Sequence, residues 1–342
     1  MLTETLAKVV GGREIDDREA EAAMAEIMRG EATQAQIGAF LVALRMRGET
    51  VQEIEGFARA MRDNCIRIRS RHRDLVDTCG TGGDALDTFN ISTGAALVAA
   101  AAGVPIAKHG NRSVSSECGS ADVLMELGVR IDLEPEQVEA CLDEVGIGFL
   151  FAPALHPAMK HAIGPRRELG LRTVFNILGP LTSPAGAERQ LLGVFDAELT
   201  EMMAETLGRL GSKHALVVHG LDGLDELSTL GPTQVSELRG GEVSTYTVEP
   251  EQFGLPRATA KDLAGGDPDQ SAQALVEAIS GEGSARRDIV LLNAGAAIYV
   301  GGKADDTAEG VSIAAATVDT GAATGKLAAL REMTRGLADP SA

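Results

Sequence analysis

From Asp77 to Gly128 the chain alternates short apolar runs, polar breaks rich in glycine or serine, and alanine-rich segments, and this alternation restricts the fold more than any other feature. Leu75-Val76 leads into Asp77-Thr78-Cys79-Gly80-Thr81-Gly82-Gly83-Asp84, where the glycines remove side chains and let backbone N–H groups reach a ligand. In the next motif, Thr88-Phe89-Asn90-Ile91-Ser92-Thr93, Ser92 or Thr93 is placed to cap a helix over 94–102 that Gly103 ends. The free N–H groups and dipole of that helix would face the same loop. A second apolar run, 104–107, delivers Lys108 and Arg112 beside the hydroxyls of Ser113, Ser115, Ser116 and Ser120. Amides, cations and hydroxyls together describe a polyphosphate cradle, carried by strand–helix–strand units of a parallel sheet.

The loop matches neither the GxGxxG dinucleotide fingerprint nor the GxxxxGK[ST] P-loop. Glycine-rich turns also join strands to helices where no ligand binds. A purely structural loop, however, gains nothing from Lys108, Asn111, Arg112 and the serines in one run.

Outside this stretch, residues 1 to about 70 predict only helices, with Asp16-Asp17, Thr33 and Thr50 as starts and apolar stripes such as Ile37, Phe40, Leu41 and Leu44. From Asp74 the pattern predicts helices over 119–127, 135–145, 200–210 and 271–279, and strands over 148–151, 191–195, 215–219 and 289–292. The stretch 227–254, with Gly240-Gly241 at its centre, predicts antiparallel strands or a hairpin, and 306–335 a helical tail.

The segments 77–84 (DTCGTGGD), 88–93 (TFNIST) and 108–124 (KHGNRSVSSECGSADVL) resemble the anthranilate phosphoribosyltransferases, and the likeness continues through 166–181 (RRELGLRTVFNILGPL) and 223–228 (GLDELS). The resemblance implies transfer of a phosphoribosyl group from 5-phosphoribosyl-1-pyrophosphate to the amine of anthranilate, with Mg2+ as cofactor and a homodimer as the assembly. It implies an α/β fold in which a small helical domain, 1–70 joined by helices from about 159–180, accompanies a catalytic domain, 71–342, with a mainly parallel central sheet. The nearest alternatives are a pyrimidine nucleoside phosphorylase of the same fold and a non-catalytic relative that binds phosphoribosyl ligands.

By the same resemblance the donor is held by Gly80, Gly83, Asp84, Thr88, Asn90, Ile91, Ser92, Thr93, Lys108, His109, Gly110, Asn111, Arg112, Ser113, Val114, Ser115, Ser116 and Ser120. Gly80, Asn111 and Arg166 would contact anthranilate, and Ser92, Asp225 and Glu226 the metal. Arg clamps a planar carboxylate in a bidentate fork, although Arg167 sits next door. Asp225-Glu226 alone would read as a solvated pair with Asp222 as a bystander; two carboxylates also suit Mg2+. Asp84 repels phosphate unless it meets a ribose hydroxyl, a metal-bound water or an N–H, and otherwise fixes the turn. His109 and His156 are neighbours of the amine better suited to hydrogen bonding or packing than to general-base work, so no acid or base is assigned. Met125 stands where the family pattern has an acidic residue.

A formal charge of −19, from 31 Lys and Arg against 50 Asp and Glu, argues against nucleic acid and anionic membranes as partners. The cysteines, Cys65, Cys79, Cys118 and Cys141, show no metal or disulfide spacing, and no signal sequence or spanning run is legible. A soluble, cytoplasmic enzyme with reduced thiols is the expectation.

Overall fold

In β5 (His214–Gly220) alternate side chains divide between two cores: Leu216 and Val218 join one, Ala215 and Val217 the other. Such a strand is covered on both faces, as a parallel sheet under helices requires. The computed structural model describes residues 1–83, 86–113 and 117–338. Its sheet has seven strands: β1 (Val76–Asp77), β2 (Ile106–Gly110), β3 (Ile147–Phe151), β4 (Arg189–Gly193), β5, β6 (Thr233–Arg239) and β7 (Glu242–Val248). The order is β3-β2-β1-β4-β5-β6-β7, with β1 to β5 parallel and β6 and β7 antiparallel at one edge. The predicted hairpin is this edge, turning at Gly240-Gly241 with both φ angles positive. Because β1 to β3 progress one way and β4 to β5 the other, the sheet reverses between β1 and β4, where open α/β sheets bind ligands beyond their carboxyl ends.

On one face lie helices Ile91–Ala101, Ser120–Glu126, Pro268–Ile279, Ala285–Val300, Thr307–Asp319 and Ala322–Ala338. The 289–292 segment, expected as a strand, is part of Ala285–Val300 instead. Every residue from Ile289 to Val300 is buried, so no amphipathic stripe marks the helix, and a short apolar run alone does not distinguish strand from helix.

The other face carries Leu192, Val194, Ala215 and Val217 against the N-terminal helices Leu2–Val10, Asp17–Met28, Gln34–Arg47 and Val51–Asp63. Three of these helices begin with reciprocal capping boxes, Asp16 with Glu19, Thr33 with Gln36 and Thr50 with Glu53. Phe40 and Phe57 meet edge to face at 5.9 Å in their core, which also takes in Ala162, Phe175 and Leu178 from helices Lys160–Leu169 and Phe175–Leu178. A small helical domain thus accompanies a larger α/β domain with a mostly parallel sheet.

Candidate active site

The glycine loop leaves β1 at the point where the sheet reverses, and it is pinned to the end of β4. Thr81 N donates to Gly193 O at 2.8 Å, and Phe195 N donates back to Thr81 Oγ1 at 3.1 Å. Space decides the residue at 193: a Cβ there would stand 1.5 Å from the Asp225 carbonyl oxygen. Gly82 and Gly83 hold φ of +67° and +84°, left-handed values that exclude most side chains and turn the loop over the strand ends.

Lys108 rises from β2 beneath this loop, only 3% exposed, with Nζ 3.3 Å from Thr78 O, Thr78 Oγ1 and Ser92 Oγ. Burial pushes its pKa down, against the pull of the nearby acids Asp77, Glu226 and Asp225. Asp77, fully buried at the end of β1, accepts N–H groups from Cys79 and His109 on Oδ1, at 3.0 and 3.1 Å, while Oδ2 has no partner. Burial raises its pKa to about 7. His109 and His156 pack with ring centroids 5.1 Å apart, and neither His109 ring nitrogen nor His156 Nε2 finds a partner. Burial lowers these two imidazoles to about 3 and about 4, with mutual repulsion adding to the shift of His109, so both are neutral at pH 7.

The loop after β5 brings two carboxylates to the cradle. Asp225 Oδ2 accepts Gly82 N at 2.8 Å, and Glu226 Oε1 accepts Ser92 N at 3.1 Å. Here the expected cap changes: helix Ile91–Ala101 begins after Asn90, so Ser92 lies inside its first turn, and a carboxylate from elsewhere in the chain takes the free N–H. The backbone fixes the earlier start through a bond from Ile91 N to Phe89 O at 2.7 Å. Ser92 Oγ, Asp225 and Glu226 form an all-oxygen donor set that fits a hard divalent ion such as Mg2+. Among the described residues no group of three or more His, Cys, Asp or Glu could hold a metal ion. Asp222 is occupied elsewhere, accepting Ser228 Oγ at 2.6 Å and Leu224 N at 3.1 Å to shape the turn.

Arg166 and Arg167 are separated by their surroundings. Arg167 is exposed, whereas Arg166 is half-buried with its guanidinium carbon 5.2 Å from the Phe175 ring centroid. No ion pair to Arg166 forms among the described residues, and burial pushes its pKa down. A half-buried cation on an aromatic wall is suited to a planar carboxylate.

Other expected residues are placed as follows. Asn90 tethers the following loop, donating Nδ2 to Cys118 O at 3.2 Å, and Thr93 Oγ1 is buried without a partner. Thr88 bridges to Ala264, and Gly110 lies against Ser120 and Phe149, where a Cβ would stand 2.4 Å from Ser120 Oγ. Asn111 is exposed at the end of β2, with its carbonyl taking Ser120 Oγ at 3.3 Å. Arg112 is also exposed, paired with Asp122 at 3.3 Å and touching Met125 Sδ at 3.2 Å. Asp84, Val114, Ser115 and Ser116 lie outside the described residues.

Four contributors escape a reading of the motifs. Asp122 Oδ2 accepts Ser113 N at 3.1 Å and Gly119 N at 3.0 Å, closing the serine loop, and its position three residues after Gly119 was a legible cap signal. Asp77 stood in the first motif without a role. Asn293, fully buried, holds the backbone of Leu227 from both sides, with N–H to Oδ1 at 3.0 Å and Nδ2 to O at 2.9 Å, next to Glu226. Arg172 spans from the glycine loop to Phe195. Nothing local in sequence announces the last two.

Residues 72–324 match the model of the glycosyl transferase family a/b domain, and 3–65 that of the family's helical bundle domain. The anthranilate phosphoribosyltransferase of Pelotomaculum thermopropionicum is 55% identical over 98% of either chain. Among solved structures, that of Thermus thermophilus superposes with a TM-score of 0.92 at 44% identity, covering 96% of this chain and 99% of its own. The Saccharomyces cerevisiae enzyme, in complex with phosphoribosyl pyrophosphate and Mg, gives 0.89 at 27% identity over 98% of each chain. Agreement over the whole length favours these enzymes over the nucleoside phosphorylases. The chain belongs to the anthranilate phosphoribosyltransferase family and is a pentosyltransferase of tryptophan biosynthesis.

Proposed function

We propose that the reversal between β1 and β4 is the donor site and that the acids after β5 bind Mg2+ there. The observation that carries this reading is the convergence of Gly82 N, Ser92 N and Oγ, Lys108 Nζ, Asp225 and Glu226 on one loop. Mg2+, when bound, neutralises charge on the departing pyrophosphate. Lys108 is poised to stabilise the same charge from below, and the amides of Gly82 and Gly83 to orient phosphate oxygens. The remaining donor residues are assigned by the family resemblance alone.

The acceptor needs little activation, because an aromatic amine is neutral and nucleophilic at pH 7. Arg166 holds its carboxylate, with Asn111 and Gly80 on the donor side, while neutral His109 and His156 offer hydrogen bonds. Imidazoles held at about 3 and about 4 are poorly matched to general-base catalysis near neutrality. Proximity and electrostatic stabilisation then carry the rate.

In this reading the chain is a cytoplasmic homodimer whose helical domain, 1–70 completed by 159–180, supplies the interface. Four free thiols suit a reducing compartment, and exposed Val10 and Met46 on the N-terminal helices suit an apolar contact. No helix among the described residues is long and apolar enough to cross a membrane. Sedimentation of a micromolar sample as a monomer would remove the dimer.

Loss of anthranilate fluorescence on mixing with donor and Mg2+ follows the reaction. Arg166→Ala is expected to raise the KM for anthranilate about ten- to a hundred-fold, the equivalent of a charge-assisted contact, with a much smaller change for the donor. Equal changes for both substrates would overturn the acceptor assignment.

A further inference from the structure

Arg172 joins two parts of the site that the motifs treat separately. Its Nη2 donates to Gly83 O at 2.5 Å, and its guanidinium carbon lies 4.3 Å from the centroid of Phe195. Phe195 is the residue whose N–H donates to Thr81 Oγ1, so the loop is fastened to the segment after β4 at its root by Thr81 and at its tip through Arg172. Between these two points Gly82 N reaches Asp225 Oδ2 at 2.8 Å. A shift of the tip therefore moves the loop amides and one of the acids together.

The other end of Arg172 is tied to the acceptor side. It follows Gly170, which ends helix Lys160–Leu169 in a left-handed turn at φ +60°, and precedes Thr173, whose N–H is held by Asn176 Oδ1 at 2.9 Å. Arg166 lies in the first of these flanking helices, and Phe175, on whose ring Arg166 rests, opens the second. The short stretch 170–173 is thus bracketed by both halves of the carboxylate clamp.

We infer that Arg172 is a positioning residue that couples the two substrates, holding the glycine loop closed over the donor when the acceptor segment around Arg166 and Phe175 is engaged. The inference rests on the donor and acceptor assignments proposed above. Coupling of this kind is reciprocal, so each ligand tightens the other by the same factor. Arg is suited to the task because one planar group both donates to a carbonyl and stacks on an aromatic ring. Its exposed position means that its removal leaves the core intact.

Pyrophosphate with Mg2+ binds the donor site without reacting with anthranilate, so calorimetry of pyrophosphate with and without saturating anthranilate reads the coupling directly. Wild type is expected to bind pyrophosphate several-fold more tightly with anthranilate present. Arg172→Met should weaken pyrophosphate by about five- to ten-fold, as for a lost charge-assisted contact, and should abolish the tightening. Lys108→Met serves as the control for the donor site itself. If Arg172→Met keeps wild-type affinity and tightening while Lys108→Met loses binding, Arg172 has no part in positioning. Weaker binding with the tightening factor unchanged would reduce Arg172 to a loop support and overturn the coupling. Should Lys108→Met bind pyrophosphate as wild type does, the donor assignment falls first, and the inference with it.

Discussion

Glu53 in the helical domain and Asp77 at the end of β1 are both fully buried carboxylates, yet their surroundings differ in kind. Glu53 accepts Ile15 N on Oε1 at 3.0 Å, Thr50 N on Oε2 at 2.9 Å, and pairs with the Arg47 guanidinium. Asp77 has two backbone donors on one oxygen and leaves the other unpaired, near a buried ammonium and two histidines with unpaired ring nitrogens. The first arrangement satisfies its charge internally and serves the fold. The second leaves polar atoms unmatched in the core, a cost that a protein bears where a ligand is to be bound or a charge is to be stabilised.

The contrast is tested most severely by the buried cation. Lys108→Met keeps the length of the side chain and removes its charge, and is expected to lower kcat/KM by about a hundred-fold or more, the scale of one lost transition-state donor. The melting temperature should change little, since removal of a desolvated ammonium offsets the loss of its hydrogen bonds to Thr78 and Ser92. A large fall in Tm with near-normal kinetics would place Lys108 with the structural groups instead.

Glu53→Gln probes the opposite region. It leaves Arg47, whose side chain is only 12% exposed, without its counter-charge, and should cost about 3–5 kcal/mol of stability in urea unfolding. Kinetic constants measured below the transition should match wild type. If catalysis falls while stability is kept, the division between the two regions fails.

A subtler effect separates the carboxylates by pH. Asp77 is raised to about 7 in the folded state against about 4 unfolded, so between these values the folded protein binds the extra proton. Stability contributed by the neutral carboxyl is then present at low pH and lost as pH rises toward 7. Asp77→Asn, which stays neutral, is expected to gain stability relative to wild type between pH 5 and pH 8. A difference that is flat with pH would mean that Asp77 is already charged at pH 5.

How much of this was legible in the sequence depends on whether the signal was local. Helix starts at Asp16, Thr33 and Thr50 and the Gly240-Gly241 turn are written in neighbouring residues, and they form as read. The start at Asn90 was misjudged because Ser92 resembles a cap while its N–H is claimed by Glu226, 134 positions away. Residues 289–292 resemble a buried strand, since a helix surrounded by core on all sides loses its periodicity. That misreading also concealed Asn293, which secures Leu227 beside the acid pair. Arg172 stands in the 166–181 segment with no role legible there, because its meaning depends on contacts with Gly83 and Phe195 that only the tertiary fold creates.

The central claim, that the polar groups converging at the sheet reversal serve pyrophosphate and Mg2+, is tested most directly through Asp225 and Glu226. Asp225→Asn combined with Glu226→Gln preserves the acceptors for Gly82 N and Ser92 N while deleting both charges. Turnover measured across a Mg2+ titration is predicted to fall by about a hundred-fold or more, with half-saturation moved to at least about ten-fold higher Mg2+ and Tm retained. Wild-type turnover with an unchanged Mg2+ dependence would contradict the account, leaving the two acids as loop anchors and the metal to arrive only with the donor.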